Sequence, residues 1–439
     1  MTKSDLVAKT AMAKASWRIL PLLGLGYLFS FLDRLNVSFA AEQMNLDLGF
    51  SATVYGLGGG LFFLTYALLE VPSGMIMPRF GARRWIARIM ISWGLLSAAM
   101  MFIQTPLHFY VLRLLLGAAE AGFWPSAIYF LSSWFPGAHR GRAVSRFYCF
   151  GGIASIVMGV LSGLLLDLDG LGGLRGWQWL FLAEGLPAVL IGLLILRFLP
   201  DAPASAPWLS EPERDWITRE LGRENARHGT ATDHHVLRAL RNPLVLQLAL
   251  IGALTIGSYV AFLLIAPQVL ATATGFDARQ VGYVVSAGGV LSVLGMLASG
   301  WHSDRLGQRF THLIGSTLLV AACFLVMALA TTSAMMLTGY LALAFFWPAV
   351  TLSACLVCTE VVPFRMVAVA MAAINTVAQL GAFAVPPLWG ISKDATGSYD
   401  FGLSLVPFAF LSAAAIALHL RRQVRARGLL FAAPLAIAT

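Results

Sequence analysis

Along the 439 residues, apolar runs long enough to cross a bilayer alternate with short polar and basic loops. A helical crossing needs about twenty predominantly apolar residues. That rule places spans near 18–40, 52–77, 86–104, 107–131, 142–166 and 177–199. After a polar segment come 243–270, 278–301, 310–330, 333–358, 364–391 and 400–420. These runs are continuous, whereas the strands of a membrane barrel alternate lipid-facing and lumen-facing positions. Lipid offers backbone groups no hydrogen-bond partner, and a helix meets that demand internally. The expected fold is therefore an all-α polytopic membrane protein with twelve transmembrane helices, six on each side of one long connection. Its expected divisions are an N-terminal segment (1–17), an N-terminal bundle (18–199), a central loop (200–242), a C-terminal bundle (243–420) and a tail (421–439).

Composition agrees with this and excludes a soluble domain: 58% of residues are hydrophobic and 12% charged, with a mean hydropathy of +0.77. The net charge of +9 would fit a nucleic-acid binder, but its distribution argues for topology instead. With both termini in the cytoplasm, nearly all of the 30 Lys and Arg residues fall in cytoplasmic segments. The exceptions are Arg175, Arg279 and Lys393 on the opposite face, and Arg34 and Arg113 inside spans. A multi-pass protein of the cell inner membrane is expected, with no nucleic-acid partner. Cys149, Cys323, Cys355 and Cys358 all lie in spans, so no disulfide framework is implied. The CxxC formed by Cys355 and Cys358 lacks a second ligand pair, so neither metal nor cofactor is expected. The segment MTKSDLVAKTAMAKASWR shows no cleavage pattern and reads as an amphipathic cytoplasmic lead-in. LLFAAPLAIAT, at the other end, is too short for a thirteenth crossing. The central loop opens with the linker-like PDAPASAPW; Ser210 and Glu213 then stand at capping-box spacing and start a short helix carrying Trp216. That helix is either a plain tether or a docking element.

The chain is written twice. FWPSA (123–127) recurs as FWPAV (346–350), and GMIMPRFGARR (74–84) is echoed by GWHSDRLGQR (300–309). FPGAHRGRAVSRF after the fourth span has its counterpart in VPFRMVAVAMAA after the tenth. Two pseudo-symmetric six-helix halves are the expected result, and secondary transporters built this way bind substrate near mid-membrane between the repeats. The paired loops and the 6+6 layout resemble the major facilitator superfamily. Within it, LDRLNVSFA, TYALLEVPSG, RLLLGAAEAGFWPSAIYFLSSWFP and PWLSEPERDW resemble the anion:cation symporters. The run VPSGMIMPRFGARRWIARIMISWG is most similar to the tartrate, phthalate, nicotinate and hydroxyphenylacetate permeases of that group. The resemblance implies gating roles for Arg83, Arg142, Asp304 and Arg305. One departure stands out, because Pro78 occupies the position where the first signature loop carries an acid.

Five charged residues sit well inside early spans: Asp33, Arg34, Glu70, Arg113 and Glu120. Ionisable groups in a bilayer are costly unless they face a partner or a cavity, so each marks a functional candidate. Arg113 and Glu120 share a helix face, seven residues turning through about 700° and rising ~10 Å. Asp33 and Arg34 diverge by about 100° and need partners on other helices. Glu184 is expected near the outer interface, hydrated. Asp33 and Glu120 balance Arg34 and Arg113, so a bound carboxylate would leave the site negative, which a low dielectric penalises. Protonating one acid restores neutrality. Arg34 is accordingly expected to contact the anion, with Arg113 as its electrostatic partner and Asp33 and Glu120 as proton carriers. The resemblance adds Tyr66 and Asn375 to the cavity lining, and Gln379 lies one turn beyond Asn375 on the same face. Tyr259, Phe262 and Trp347 are expected as an apolar wall. Arg–acid pairs that merely tie helices together, and aromatics that merely pack, remain open alternatives.

The function so indicated is a proton-coupled symporter importing a small organic carboxylate anion by alternating access. Its expected partners are that anion, protons and the lipid bilayer, and its expected state is a monomer. A proton-driven exporter of drugs or metabolites would want an acid excess in the cleft. A non-transporting nutrient sensor would carry a signalling extension. An enzyme is not expected, as neither HExxH nor GxSxG occurs.

Overall fold

The computed structural model describes residues 3–228, 239–306, 308–362 and 364–426. Among them, twelve spans are long and apolar enough to cross a membrane, and no strand occurs. The first half comprises α1 (Lys3–Leu48), α2 (Ala52–Phe80), α3 (Ala82–Ala99), α4 (Pro106–Glu120), α5 (Phe123–Trp134), α6 (Gly137–Leu166) and α7 (Gly176–Phe198). The central loop carries α8 (Glu211–His228). The second half comprises α9 (Pro243–Thr274), α10 (Ala278–Leu306), α11 (Arg309–Ala328), α12 (Ser333–Val361), α13 (Phe364–Thr396) and α14 (Asp400–Ala426). The segment LLFAAPLAIAT lies outside the described residues. Several boundaries are set by the caps one would choose. Ser51, Thr105 and Thr332 accept a backbone N–H in the first turn of α2, α4 and α12, and Asn242 does so ahead of Pro243. An even number of crossings brings the described termini to one end, which also holds the arginine-rich loops and is called here the basic end.

The fourth span departs from its expected form. It breaks between α4 and α5 at Ala121 and Gly122, three residues before the proline of FWPSA. Pro125 therefore falls in the first turn of α5, where the missing N–H costs nothing, while α12 runs unbroken through Pro348. The break belongs to Gly122. Its φ of 92° is a left-handed value, and a Cβ there would stand 2.1 Å from Ser73 Oγ. Gly122→Ala should cost at least the ~1–2 kcal/mol of a left-handed L-residue, lowering the unfolding midpoint in detergent. Adding Ser73→Gly should recover only the contact part. An unchanged midpoint would mean the break is not glycine-dependent.

The lead-in is continuous with the first span, α1 starting at Lys3. Its Ala11, Met12 and Ala15 are buried, and Lys14 Nζ bonds Glu213 Oε2 at 2.8 Å. The capping reading of the central loop holds: Ser210 N–H donates to Glu213 Oε2 at 2.9 Å. Trp208 stacks on Trp134 at 5.5 Å, and Arg140 pairs with Glu224 at 2.9 Å, so α8 is docked onto the first half. Burial works to raise the Glu213 pKa, but the Lys14 ammonium and the Ser210 N–H outweigh it and bring the carboxyl to about 2. A depressed carboxylate pKa stabilises the folded contact above the unfolded value and loses it as pH falls towards the folded one. Docking should thus persist at neutral pH and loosen only between roughly 4.5 and 2. In Glu213→Gln, the fluorescence of Trp208 and Trp216 at neutral pH should match that of the acidified wild type. An acid transition retained unchanged in the variant would contradict this.

The halves meet along three helix pairs, α2 with α13, α6 with α10, and α1 with α9. Two GxxxG spacings in the sequence, Gly56–Gly60 and Gly159–Gly163, lie on these seams, where small residues let backbones approach. A Cβ on Gly56 would stand 2.5 Å from the Pro386 carbonyl oxygen, and one on Gly159 would stand 2.1 Å from that of Gly282. Asp394 accepts from Ala52 N (3.0 Å) and Thr53 N (2.8 Å), placing a carboxylate from the second half on the N-terminus of α2. Arg279 pairs with Asp167 across α10 and α6, and Tyr55 donates to the Leu264 carbonyl at 2.7 Å. Among the described residues, the hydrogen bonds joining the halves run from Glu70–Asn375 to the end opposite the basic one. The molecule is sealed there.

Candidate functional site

α1, α2, α4 and α13 bring the sequence-derived candidates together. Arg34 donates through Nε (2.9 Å) and Nη2 (2.7 Å) to Glu120 Oε1, and Ser30 Oγ donates to the same oxygen at 2.7 Å. Glu120 is the last residue of α4, directly before the break. The Glu120 side chain is 0% exposed and Arg34 is 26% exposed, which makes Arg34 the open edge of the pair. The guanidinium also lies over the Tyr66 ring, 4.9 Å from its centroid, a cation–π contact. Across the gap between halves, Asn375 Nδ2 donates to Glu70 Oε2 at 2.6 Å, and Gln379 is buried one turn further along α13.

Arg113 is not paired with Glu120 despite the shared face. It points into α2, where Nε reaches the Gly58 carbonyl at 3.2 Å and the guanidinium covers Phe62 at 4.8 Å. Glycines in α2 leave those carbonyls uncovered, and Arg113 is 1% exposed. Asp33 diverges from Arg34 as expected. Its Oδ1 accepts from Asn36 Nδ2 at 3.2 Å and from Ser97 Oγ of α3, and its Oδ2 has no hydrogen-bond partner. Glu184 corrects the expectation of a hydrated residue. It is 1% exposed, with neither carboxyl oxygen bonded. Its side chain faces inward because α7 packs backbone to backbone on α3 there, Gly185 against Gly94 and Ala98.

The buried charge balance changes accordingly. Asp33, Glu70, Glu120 and Glu184 stand against Arg34 and Arg113, so the fully ionised interior is acidic instead of neutral. In the second half Tyr259 stacks on Trp347 at 3.8 Å, while Phe262 is wholly buried, edge-on to Phe324 at 5.2 Å. Phe262 is thus core, and the other two form the aromatic face. At the basic end Arg83, in the first turn of α3, pairs with Asp201 at 3.0 Å, so the linker supplies a carboxylate beside the α2–α3 junction, while Pro78 lies inside the last turn of α2. Arg305 lies over Trp301 at 5.3 Å and Arg142 is exposed. The Asp304 side chain lies outside the described residues. Cys355 and Cys358 are free thiols. A recess of about 480 Å³ at the sealed end, lined among others by Glu42, Gln43, Gln268 and Asp277, shares no residue with the cluster. Ser30, Asn36 and Ser97 were missed from sequence; Ser30 stands one turn before Arg34 and Asn36 one turn after Asp33, spacings that mark them in hindsight.

Two six-helix halves meet around this buried charged cluster, and together with the family match and the transporter relatives this makes the protein a membrane transporter. The chain belongs to the major facilitator superfamily, matching that family over residues 23–386. It is 40% identical to an Agrobacterium vitis protein named "Putative tartrate transporter", over 96% of this chain and 93% of that one. It is 35% identical to a quinolone resistance transporter of Acinetobacter baumannii, over 92% and 93% of the two chains. Among solved structures, it shares its fold with a bacterial homologue of the human lysosomal transporter Spinster: TM-score 0.77, 17% identity, 95% of this chain and 99% of that one.

Proposed function

We propose that the protein is a proton-coupled symporter that imports a small organic carboxylate anion, with its basic end in the cytoplasm of an inner membrane. The observation that carries this reading is the Arg34–Glu120 pair, with Glu120 buried and Arg34 its partly exposed partner. Guanidinium binds carboxylate in a fork and does not deprotonate, so Arg34 is an anion site whose occupant is the protein's own Glu120. A proton added to Glu120 neutralises that carboxylate and releases the Arg34 N–H groups, which a substrate carboxylate then accepts. Anion and proton therefore load together. Uptake against an inside-negative potential costs ~2.3 kcal/mol per charge per 100 mV; one proton per negative charge removes this, and one more drives accumulation. Tyr66 lies against Arg34, Arg113 adds positive potential, and Asn375 with Gln379 bounds the site from the second half. Substrate binding there would draw Asn375 from Glu70 and help open the seam. Arg83, Arg142, Asp304 and Arg305 would act at the cytoplasmic gate, and the protein would work as a monomer. The similarity to the tartrate transporter favours a hydroxy acid.

A second reading has its own support. The acid excess contributed by Glu70 and Glu184 suits a cationic cargo, and the quinolone resistance relative points to export. Proteoliposome transport of labelled carboxylates and cationic drugs under imposed pH, potential or sodium gradients separates the two. Acid-driven inward accumulation of a carboxylate is expected; drug movement against the proton gradient, with no carboxylate uptake, would replace the symport reading.

A further inference from the structure

We infer that Asp394 latches the sealed end: this carboxylate of the second half completes the N-terminal cap of α2 only while that end is closed, and so sets how often the charged cluster faces that side. The first N–H groups of a helix have no carbonyl of their own helix to bond. In α2 Tyr55 is the first to bond back, to the Ser51 carbonyl at 3.1 Å. Ahead of it, Val54 N–H goes to Ser51 Oγ at 3.2 Å, within the first half. Ala52 and Thr53 instead donate to Asp394, to Oδ1 at 3.0 Å and to Oδ2 at 2.8 Å. One cap is local and two are borrowed across the seam.

The seam is built to deliver that carboxylate. Gly390 stands one turn before Asp394, and a Cβ on it would lie 2.3 Å from the Ala52 carbonyl oxygen, so α13 rests directly on the start of α2. Asp394 sits in the last turn of its own helix, where the dipole disfavours a carboxylate and favours a cation. The neighbouring Lys393 answers that preference, its Nζ donating to the Gly397 carbonyl at 2.6 Å. What favours Asp394 is the N-terminus of α2, and only across a closed seam. The other charged contact between halves at this end, Arg279 with Asp167, joins side chains 50% and 49% exposed, and such pairs contribute little. Substrate must reach the cluster from each side of the membrane in turn. Opening this end therefore strips two caps from α2 and returns Asp394 to the unfavourable end of its own helix. Replacing a cap residue by alanine typically shifts a helix equilibrium by about fivefold, and a shift of that size towards the state open at this end is expected in Asp394→Ala. The inference needs alternating access alone and holds for carboxylate import and drug export alike.

Hydrogen exchange of the purified protein in lipid nanodiscs, read by mass spectrometry, tests it. In Asp394→Ala, amides around the recess at the sealed end, in residues 38–46 of α1 and 267–275 of α9, should exchange about fivefold faster, and those at the basic end of α6 and α12 more slowly. Thr105 supplies the control. Its Oγ caps His108 N–H of α4 at the same end, wholly within the first half, so Thr105→Ala should speed exchange only around its own turn. Asp167→Ala should move the sealed end less than Asp394→Ala. Asp394→Asn keeps one acceptor oxygen and should give a smaller shift in the same direction; it decides alone if Asp394→Ala does not fold. Faster exchange confined to the first turn of α2, with the basic end unchanged, would overturn the inference, as would a larger shift in Asp167→Ala.

Discussion

Arg34→Gln should reduce carboxylate uptake by roughly a hundredfold or more. Removing one partner of a buried ion pair costs on the order of 3 kcal/mol, and here the lost partner is also the group proposed to bind the substrate. Two separable effects follow. Glu120, 0% exposed, is left with only Ser30 as donor, so the unfolding midpoint should fall. The anion also loses its fork-shaped partner. Adding Glu120→Gln removes the orphaned charge and should restore much of the stability without restoring transport. Arg34→Lys should remain folded yet still transport poorly, because an ammonium neither forms the two-pronged bond nor matches the guanidinium's contact with Tyr66. Uptake by Arg34→Gln above a tenth of wild type would remove Arg34 from the substrate site.

The second large effect is expected in Glu120→Gln. A neutral amide cannot hold Arg34 in the manner of a carboxylate, so the guanidinium is permanently available to an anion. Substrate exchange without net driving force should continue at a substantial fraction of the wild-type rate. Accumulation driven by a pH gradient should be lost, because the group that loads the proton is gone. Counterflow and gradient-driven uptake, measured on the same vesicles, distinguish this from a simple loss of function. If Glu120→Gln still accumulates substrate in response to an acid exterior, Glu120 is not the coupling acid.

How much of this was legible beforehand follows from what each feature depends on. Span number and the repeat were readable because lipid imposes a length and a hydropathy that no tertiary context overrides. The GxxxG spacings were readable as close approaches, although not as seams between halves, since a spacing does not name its partner. The candidate residues Asp33, Arg34 and Glu120 stood out because charge in an apolar run is expensive, and the family resemblance added Tyr66 and Asn375. Their pairing was not legible. Helical spacing placed Arg113 and Glu120 on one face, yet Arg113 turns to the Gly58 carbonyl of α2 while Glu120 meets Arg34 and Ser30 of α1. The break in the fourth span was not legible either: the proline of FWPSA falls harmlessly in a first turn, and the left-handed Gly122 is decisive. Glu184 was misjudged for a related reason. Its depth along the span suggested water, and only the tight α3–α7 contact through Gly94 and Gly185, with Glu184 1% exposed, reveals that it faces the interior. The charge count, neutral in the four-residue version, was therefore too generous to the bases.

The central claim is that a substrate carboxylate and the Glu120 carboxylate compete for Arg34. It is tested most directly by the pH dependence of substrate affinity in purified wild type and in Glu120→Gln. If one proton must load with each anion, linked binding predicts that wild-type affinity falls by up to about tenfold per pH unit as protons become scarce, while the variant, with Arg34 always released, binds with a much flatter profile. The same slope in both proteins would contradict the claim.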